Sequence, residues 1–148
     1  MSGPSHALVM KKCWAEQILC HGKVIELRGC STTRRGKIAI ASGGLLMGEV
    51  EVNDCFLVAA KNKAGELEDC YPYSLKNMTH LHQVEDFSIL KGYKKVFAWA
   101  LRNPTLYEVA KPYSHPRGAV IWVNLRPEPK KAADKSMKPK KISKSSKK

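Results

Sequence analysis

Short apolar runs that alternate or are rich in β-branched residues recur along most of this chain, and each is soon closed by glycine, proline or a polar turn. That rhythm is what strands on short connections look like, because strand side chains point to opposite faces with a period of two. The candidate strands are Ala7 to Lys12, Val24 to Arg28, Lys37 to Ala41, Gly48 to Ala59, Val96 to Leu101 and Ala119 to Leu125. Gly43-Gly44 closes the third, and a segment punctuated by Pro104, Pro112 and Pro116 separates the last two. Two stretches read as helix. Cys13 to His21 places Trp14, Gln17 and Ile18 at i, i+3, i+4 spacing, with Gly22 where a glycine commonly ends a helix. Ser74 to Val84 allows a further helical turn, while Gly29 to Arg35 and Lys61 to Asp69 read as polar loops. Several short strands and one early helix predict an α+β domain, a small mixed β-barrel with one or two short helices, rather than a parallel doubly wound sheet. No internal repeat is visible.

The apolar rhythm stops near Leu125. With 148 residues, of which 43% are hydrophobic, the chain suits one domain with a sizeable core. Pro127 and Pro129 mark its boundary, since proline cannot continue a central strand. The remainder is Lys/Ser-biased and too poor in apolar side chains to offset the entropy of ordering. The expected organisation is a domain over residues 7–125 and a disordered basic tail over 126–148.

Charge points to a polyanionic partner. The net charge is +13; the stretch from Arg126 onward holds ten basic and two acidic residues, and the body before it sixteen and eleven. Cationic side chains that displace condensed counterions drive association with nucleic acid, although charge alone does not separate RNA from DNA or from an anionic membrane surface. For the tail alone, a solvated stretch that aids solubility is an equal reading. No run of about 18 apolar residues exists to cross a membrane as a helix. Met1 to Met10 lacks the apolar core of a secretory signal. The five cysteines, Cys13, Cys20, Cys30, Cys55 and Cys70, are odd in number and form no CxxC pair. Free thiols in a reducing compartment are therefore expected, with the protein cytoplasmic or nuclear and not secreted. Lys138 to Lys141 is a basic run of the kind that serves as a nuclear address. His80 and His82 form an HxH without further ligands at metal spacing, so neither a metal nor another cofactor is expected.

The stretch Trp14 to Arg28 carries the most chemical information. On a strand from Val24 to Arg28, the side chains of Val24, Glu26 and Arg28 share one face, with Lys23 at its entry. One reading is a recognition site, in which Glu26 accepts from base amino groups while Lys23 and Arg28 meet phosphate or base oxygens. The other is an ordinary ion pair on a half-exposed strand.

Several motifs, in order, together cover residues 8–125. They are Lys12-x-Trp14-Ala15 with Ile18-Leu19, then Lys23-x-x-Glu26-Leu27-Arg28, then Arg35-Gly36-Lys37-Ile38-Ala39-Ile40-Ala41-Ser42. Gly48-Glu49-Val50-Glu51-Val52-x-Asp54, Phe97-Ala98-Trp99 with Asn103-Pro104, and Gly118-x-x-x-Trp122 complete the series. This pattern resembles the ASCH family, the activating-signal-cointegrator homology domains. The resemblance implies a PUA-like pseudo-barrel that binds RNA or a nucleotide in a cleft around Lys23, Glu26 and Arg28, with Arg34, Arg35 and Lys37 at its rim. Trp14 and Trp99 become candidate stacking walls or core residues, and Trp122 a core residue. Two positions depart from the family pattern: His21 stands where a glycine usually precedes the lysine by two, and Val24 stands where threonine usually follows it.

Three functions follow from the resemblance. The expected one is a non-catalytic, monomeric RNA- or nucleotide-binding module. The second is an enzyme, because some bacterial relatives resemble amidohydrolases acting on acetylated cytidine through a lysine, a threonine and a glutamate, and others have been proposed as ribonucleases. Lys23 matches the lysine, Glu26 occupies the threonine's place, and Glu85 is the candidate third carboxylate. No full catalytic set is present, although Lys23 and Glu26 would be competent for general acid–base work if burial shifted them. The third is a coactivator-type module that binds protein partners.

Overall fold

Two strands far longer than the rest organise the molecule. The computed structural model describes residues 3–126; the tail expectation falls on 127–148, outside the described residues. Strand β1 (His6–Val9) leads into helix α1 (Lys12–Cys20), β2 (Ile25–Arg28), β3 (Gly36–Ser42) and β4 (Leu45–Lys61). Strand β5 (Leu67–Asp69), helix α2 (Thr79–His82), a 3-10 helix (Phe87–Leu90), β6 (Lys95–Pro112) and β7 (Trp122–Asn124) follow. β4 and β6 span 17 and 18 residues and pair antiparallel from Leu45↔Pro112 to Ala60↔Lys95. Four register shifts interrupt that ladder, and such irregularities bend and twist a sheet.

The hydrogen-bonded order is β2-β6-β4-β3-β1-β7, with β5 added to β4. β1 runs parallel to β3, and the other pairings are antiparallel. The α+β class is as expected, but the path is open and the sheet is not a closed barrel. β2 and β7, four and three residues long, end the path, and no ladder joins them. Side chains bridge the gap: Arg28 on β2 donates from Nη2 to the Val9 carbonyl of β1 at 2.8 Å, and Trp99 on β6 stacks on Trp122 of β7 at 5.7 Å.

Alternation on β3 explains how the core is layered. Ile38 and Ile40 join Leu8, Ile18, Val50 and Trp99 on one face, while Ala39 and Ala41 pack with Ala7 and Val123 on the other. A separate cluster, including Ile25, Leu27, Val58, Leu75, Val84, Leu90 and Val96, fills the far end. Trp14 packs against both large clusters, so α1 lies over the seam between them.

The first and last expected strands shorten to His6–Val9 and Trp122–Asn124, and three further segments differ from the sequence expectation. β6 continues through Pro104, because Asn103 and Pro104 form a bulge between the pairs Glu51↔Arg102 and Glu49↔Thr105, with Asn103 at φ 56°. β2 pairs with β6 only from Phe97 to Ala100, so this part of β6 is an edge, where a missing N–H is tolerated. β5 lies inside the stretch read as a loop, and the helical turn shrinks to the four residues of α2. Among the described residues no helix is long and apolar enough to cross a membrane.

The close approach of β4, β6 and α1 depends on Gly48. A Cβ there would stand 2.4 Å from the Thr105 carbonyl oxygen and 2.8 Å from Leu19 Cδ2. Gly48→Ala should therefore destabilise the domain by about 1–3 kcal/mol, as overpacked sites do. A lower urea midpoint with an unchanged slope would record it; an unshifted midpoint would show that the ladder opens there without cost.

Candidate functional site

A tight turn delivers the first site residue. The backbone N–H groups of His21 and Lys23 both donate to the Gln17 carbonyl at 3.0 Å, with Gly22 at φ 77° between them. Glycine takes that left-handed conformation without steric cost, so the shifted glycine of this chain still makes the turn. It sends Lys23 inward, where only 2% of the residue is exposed. Val24 precedes β2 and is 38% exposed, so it is not on the strand face that the period of two assigned to it.

Lys23 Nζ donates to the His82 carbonyl, lies 3.8 Å from Glu26 Oε1 and sits 4.8 Å above the Trp14 ring. Glu26, 5% exposed, accepts from Arg28 Nε through Oε2 at 3.0 Å. The guanidinium also lies 5.7 Å from the Trp99 ring. One carboxylate thus lies between two basic side chains, and all three are largely buried. A guanidinium has five N–H donors; Arg28 uses two of them, on Glu26 and Val9, and the rest remain for an acceptor. These groups line a cleft of about 300 Å³ whose walls include Trp14, Lys23, Glu26, Arg28, Ile89 and Tyr93. That volume is at the small end of the range for ligand sites.

Burial pushes the Lys23 ammonium below its usual pKa, against the opposing pull of Glu26 and, less strongly, Cys13. Desolvation favours the neutral amine, while a neighbouring carboxylate favours the cation. Of these opposing influences, burial is the larger.

His82 supports the site from beneath. Its Nε2 donates to the Leu75 carbonyl at 2.8 Å and its Nδ1 accepts the Val84 N–H at 2.9 Å. Those partners require a neutral ring, and both nitrogens are occupied, so His82 has none free for a metal. Burial, offset in part by the Leu75 carbonyl and reinforced by Lys23 and His80, lowers its pKa. The unfolded chain takes up this proton near 6.5, whereas the native state resists it. Stability should fall as pH drops below about 6.5 through the depressed native value, at up to about 1.4 kcal/mol per pH unit for one proton. Denaturant titrations at pH 7 and pH 5 check this, since His82→Gln should lose much of the decline; an equal decline in both proteins would assign it elsewhere.

The remaining sequence candidates are distributed around the cleft. Trp99 is fully buried and donates from Nε1 to the Cys30 carbonyl at 2.9 Å; it is a core residue beneath Arg28, not an exposed stacking wall. Trp122, half-buried, carries the Arg34 guanidinium 4.9 Å above its ring. Arg35, just before β3, pairs with Asp54 at 3.8 Å, and Lys37 on β3 pairs with Glu49 at 3.6 Å, both at the surface. Glu85 is exposed and lines a neighbouring groove with Cys13, Gln17 and His80. The structure thus joins Trp14, Lys23, Glu26 and Arg28 in one cleft. Sequence reasoning missed the Val9 and His82 carbonyls, because a backbone acceptor leaves no residue-type signal.

No family model and no curated protein matches the chain. Solved structures do. The crystal structure of the ASCH protein from Zymomonas mobilis aligns with a TM-score of 0.51 at 13% identity, over 68% of each chain. A serine-to-alanine variant of that protein aligns with a TM-score of 0.57 at 12% identity, covering 83% of this chain and 91% of the other. The described residues therefore form an α+β domain that shares its fold with these structures. That fold is ASCH-like.

Proposed function

We propose that this protein binds RNA or a nucleotide without cleaving it, and that the cleft around Lys23, Glu26 and Arg28 is the binding site. The observation that carries this reading is the convergence of Trp14, Lys23, Glu26 and Arg28 on one cleft. The ASCH-like fold supports a nucleic-acid-binding role at a coarse level. Arg28 offers unused donors to a phosphate or base oxygen, Glu26 offers lone pairs to an exocyclic amine, and Trp14 offers an aromatic surface for stacking. The basic tail adds sequence-independent, salt-sensitive affinity.

Anisotropy titrations of single-stranded RNA, duplex RNA and DNA test this, using the full chain, a chain lacking 127–148, and Lys23→Met. RNA binding that survives tail removal and weakens with Lys23→Met is the expected result. Equal binding to every polyanion, lost with the tail alone, would refute a role for the cleft.

A second reading is favoured by one observation: Lys23 is buried, lies 3.8 Å from Glu26 and has a lowered pKa. Such a lysine is suited to general-base chemistry, which supports an amidohydrolase- or ribonuclease-like activity on modified nucleosides or RNA. Turnover of N4-acetylcytidine or of RNA that disappears in Lys23→Met would select this reading over simple binding.

A further inference from the structure

The 3-10 helix Phe87–Leu90 and the turn after it form a wall with two working sides. Ile89, Leu90 and Tyr93 line the Lys23 cleft, whereas Phe87, Ser88 and Lys91 line a second pocket of about 480 Å³. That second pocket has an apolar floor of Leu67, Leu75 and Phe87, and three lysines, Lys61, Lys76 and Lys91, stand around it. None of the three has a carboxylate within 4.0 Å among the described residues. Two carboxylates share the lining with the lysines: Asp69 accepts the Leu75 N–H at 3.0 Å, and Glu66 makes no ion pair among the described residues, so the three ammonium groups outnumber the acids by one. Elsewhere on the molecule Arg35, Lys37 and Arg102 each have a carboxylate partner within 4.0 Å. Lysines left unpaired beside a pocket are a place where an anion replaces counterions at little desolvation cost.

We propose that the Lys61–Lys76–Lys91 pocket is a second nucleic-acid subsite, which takes backbone phosphates of the same single strand whose base occupies the Lys23 cleft. This inference rests on the cleft being a nucleotide site and adds the path of the strand. The strand leaves the cleft over half-exposed Ile89 (51% exposed), crosses the 3-10 helix beside Ser88, and places its next phosphates among the three ammonium groups. The apolar floor receives a sugar or base edge. The protein then recognises an oligonucleotide of about four residues or more, the lower end of site sizes for small single-strand-binding domains, rather than a free nucleotide.

The test is an anisotropy and competition series with uridine 5′-monophosphate and oligouridylates of increasing length against the full chain. It compares wild type, Lys61→Gln/Lys76→Gln/Lys91→Gln and Lys23→Met at several salt concentrations. In wild type, affinity should rise at least tenfold between the mononucleotide and the octamer. The triple variant should reduce that rise, leaving only the share the basic tail supplies, and flatten the salt slope by about 2, as expected when three phosphate contacts on a single strand are removed. Its affinity for the mononucleotide should stay unchanged. An undiminished rise or slope in the triple variant overturns the proposal. So does inorganic pyrophosphate binding the pocket as tightly as the octamer, because a free phosphate would then be the occupant. If Lys23→Met leaves mononucleotide binding intact while the triple variant still weakens the octamer, the cleft assignment and the strand path drawn from it are overturned, and only phosphate binding at the lysines is retained.

Discussion

Replacing Glu26 with leucine should cost the domain about 3–5 kcal/mol of stability, the range seen when one member of a buried ion pair is removed. For a domain of this size that lowers the midpoint of thermal unfolding by about 10–20 °C. The reason is the charge order in the cleft. Glu26 is the sole carboxylate among the described residues that pairs with Lys23 and Arg28, at 3.8 Å and 3.0 Å, and the side chains of both cations are largely buried. Without it, two desolvated positive charges face each other, and Lys23 retains only the His82 carbonyl and the Trp14 ring. A second substitution sharpens the test. Glu26→Leu/Lys23→Met replaces the pair with apolar groups of similar size, and such exchanges are often neutral, so the double variant should recover part of the loss. Differential scanning calorimetry on the four proteins of that cycle gives the coupling directly. A Glu26→Leu midpoint within a degree or two of wild type would mean that water reaches both cations and the cleft is not dry.

Arg28→Ala should weaken binding of single-stranded RNA or a nucleotide by about 1.5–3 kcal/mol, or about tenfold to 150-fold. Its Nε and one Nη2 hydrogen are committed to Glu26 and the Val9 carbonyl. These bonds hold the guanidinium like a fixed fork and leave its other N–H groups for the ligand, so little ordering is required on binding. Arg28→Lys keeps the charge but loses the fork, and should restore only a minor part of the affinity. Titration calorimetry on folded variants separates this from stability. Wild-type affinity in Arg28→Ala would remove the guanidinium from the site.

Much of this arrangement is legible in the sequence. The spacing of Trp14, Gln17 and Ile18 locates α1 to within a residue, and Lys37 to Ala41 locates β3, because each has one period that admits a single reading. The cluster of Lys23, Glu26 and Arg28 is also visible, since a turn glycine and a short strand bring them together whatever the rest of the chain does. What the sequence hides is longer in range. Pro104 reads as the end of a strand, yet β6 runs to Pro112, because the bulge at Asn103 sits on an edge that needs no N–H. Barrel closure reads naturally from many strands, yet no ladder joins β2 to β7, and side-chain contacts of Trp99 with Trp122 and of Arg28 with the Val9 carbonyl span that end of the sheet instead. Trp99 illustrates a wider limit: a tryptophan beside a basic cluster has the same letter whether its face meets a ligand or, as here, is covered by Trp122 and Arg28. Arg35 and Lys37 look available for the same reason, and only the register of β3 against β4 brings Asp54 and Glu49 to them.

The most direct measurement of the central claim is the indole N–H region of the proton–nitrogen correlation spectrum during titration with a ribonucleotide. The chain has three tryptophans, and each occupies a different environment: Trp14 in the cleft wall, Trp99 buried and bonded to the Cys30 carbonyl, Trp122 beneath Arg34. A ligand in the Lys23 cleft should shift the Trp14 signal in a saturable manner that Arg28→Ala weakens, with Trp99 scarcely moving. Saturable binding that leaves Trp14 unmoved and shifts only Trp122, or none of the three, would place the ligand elsewhere and contradict the assignment.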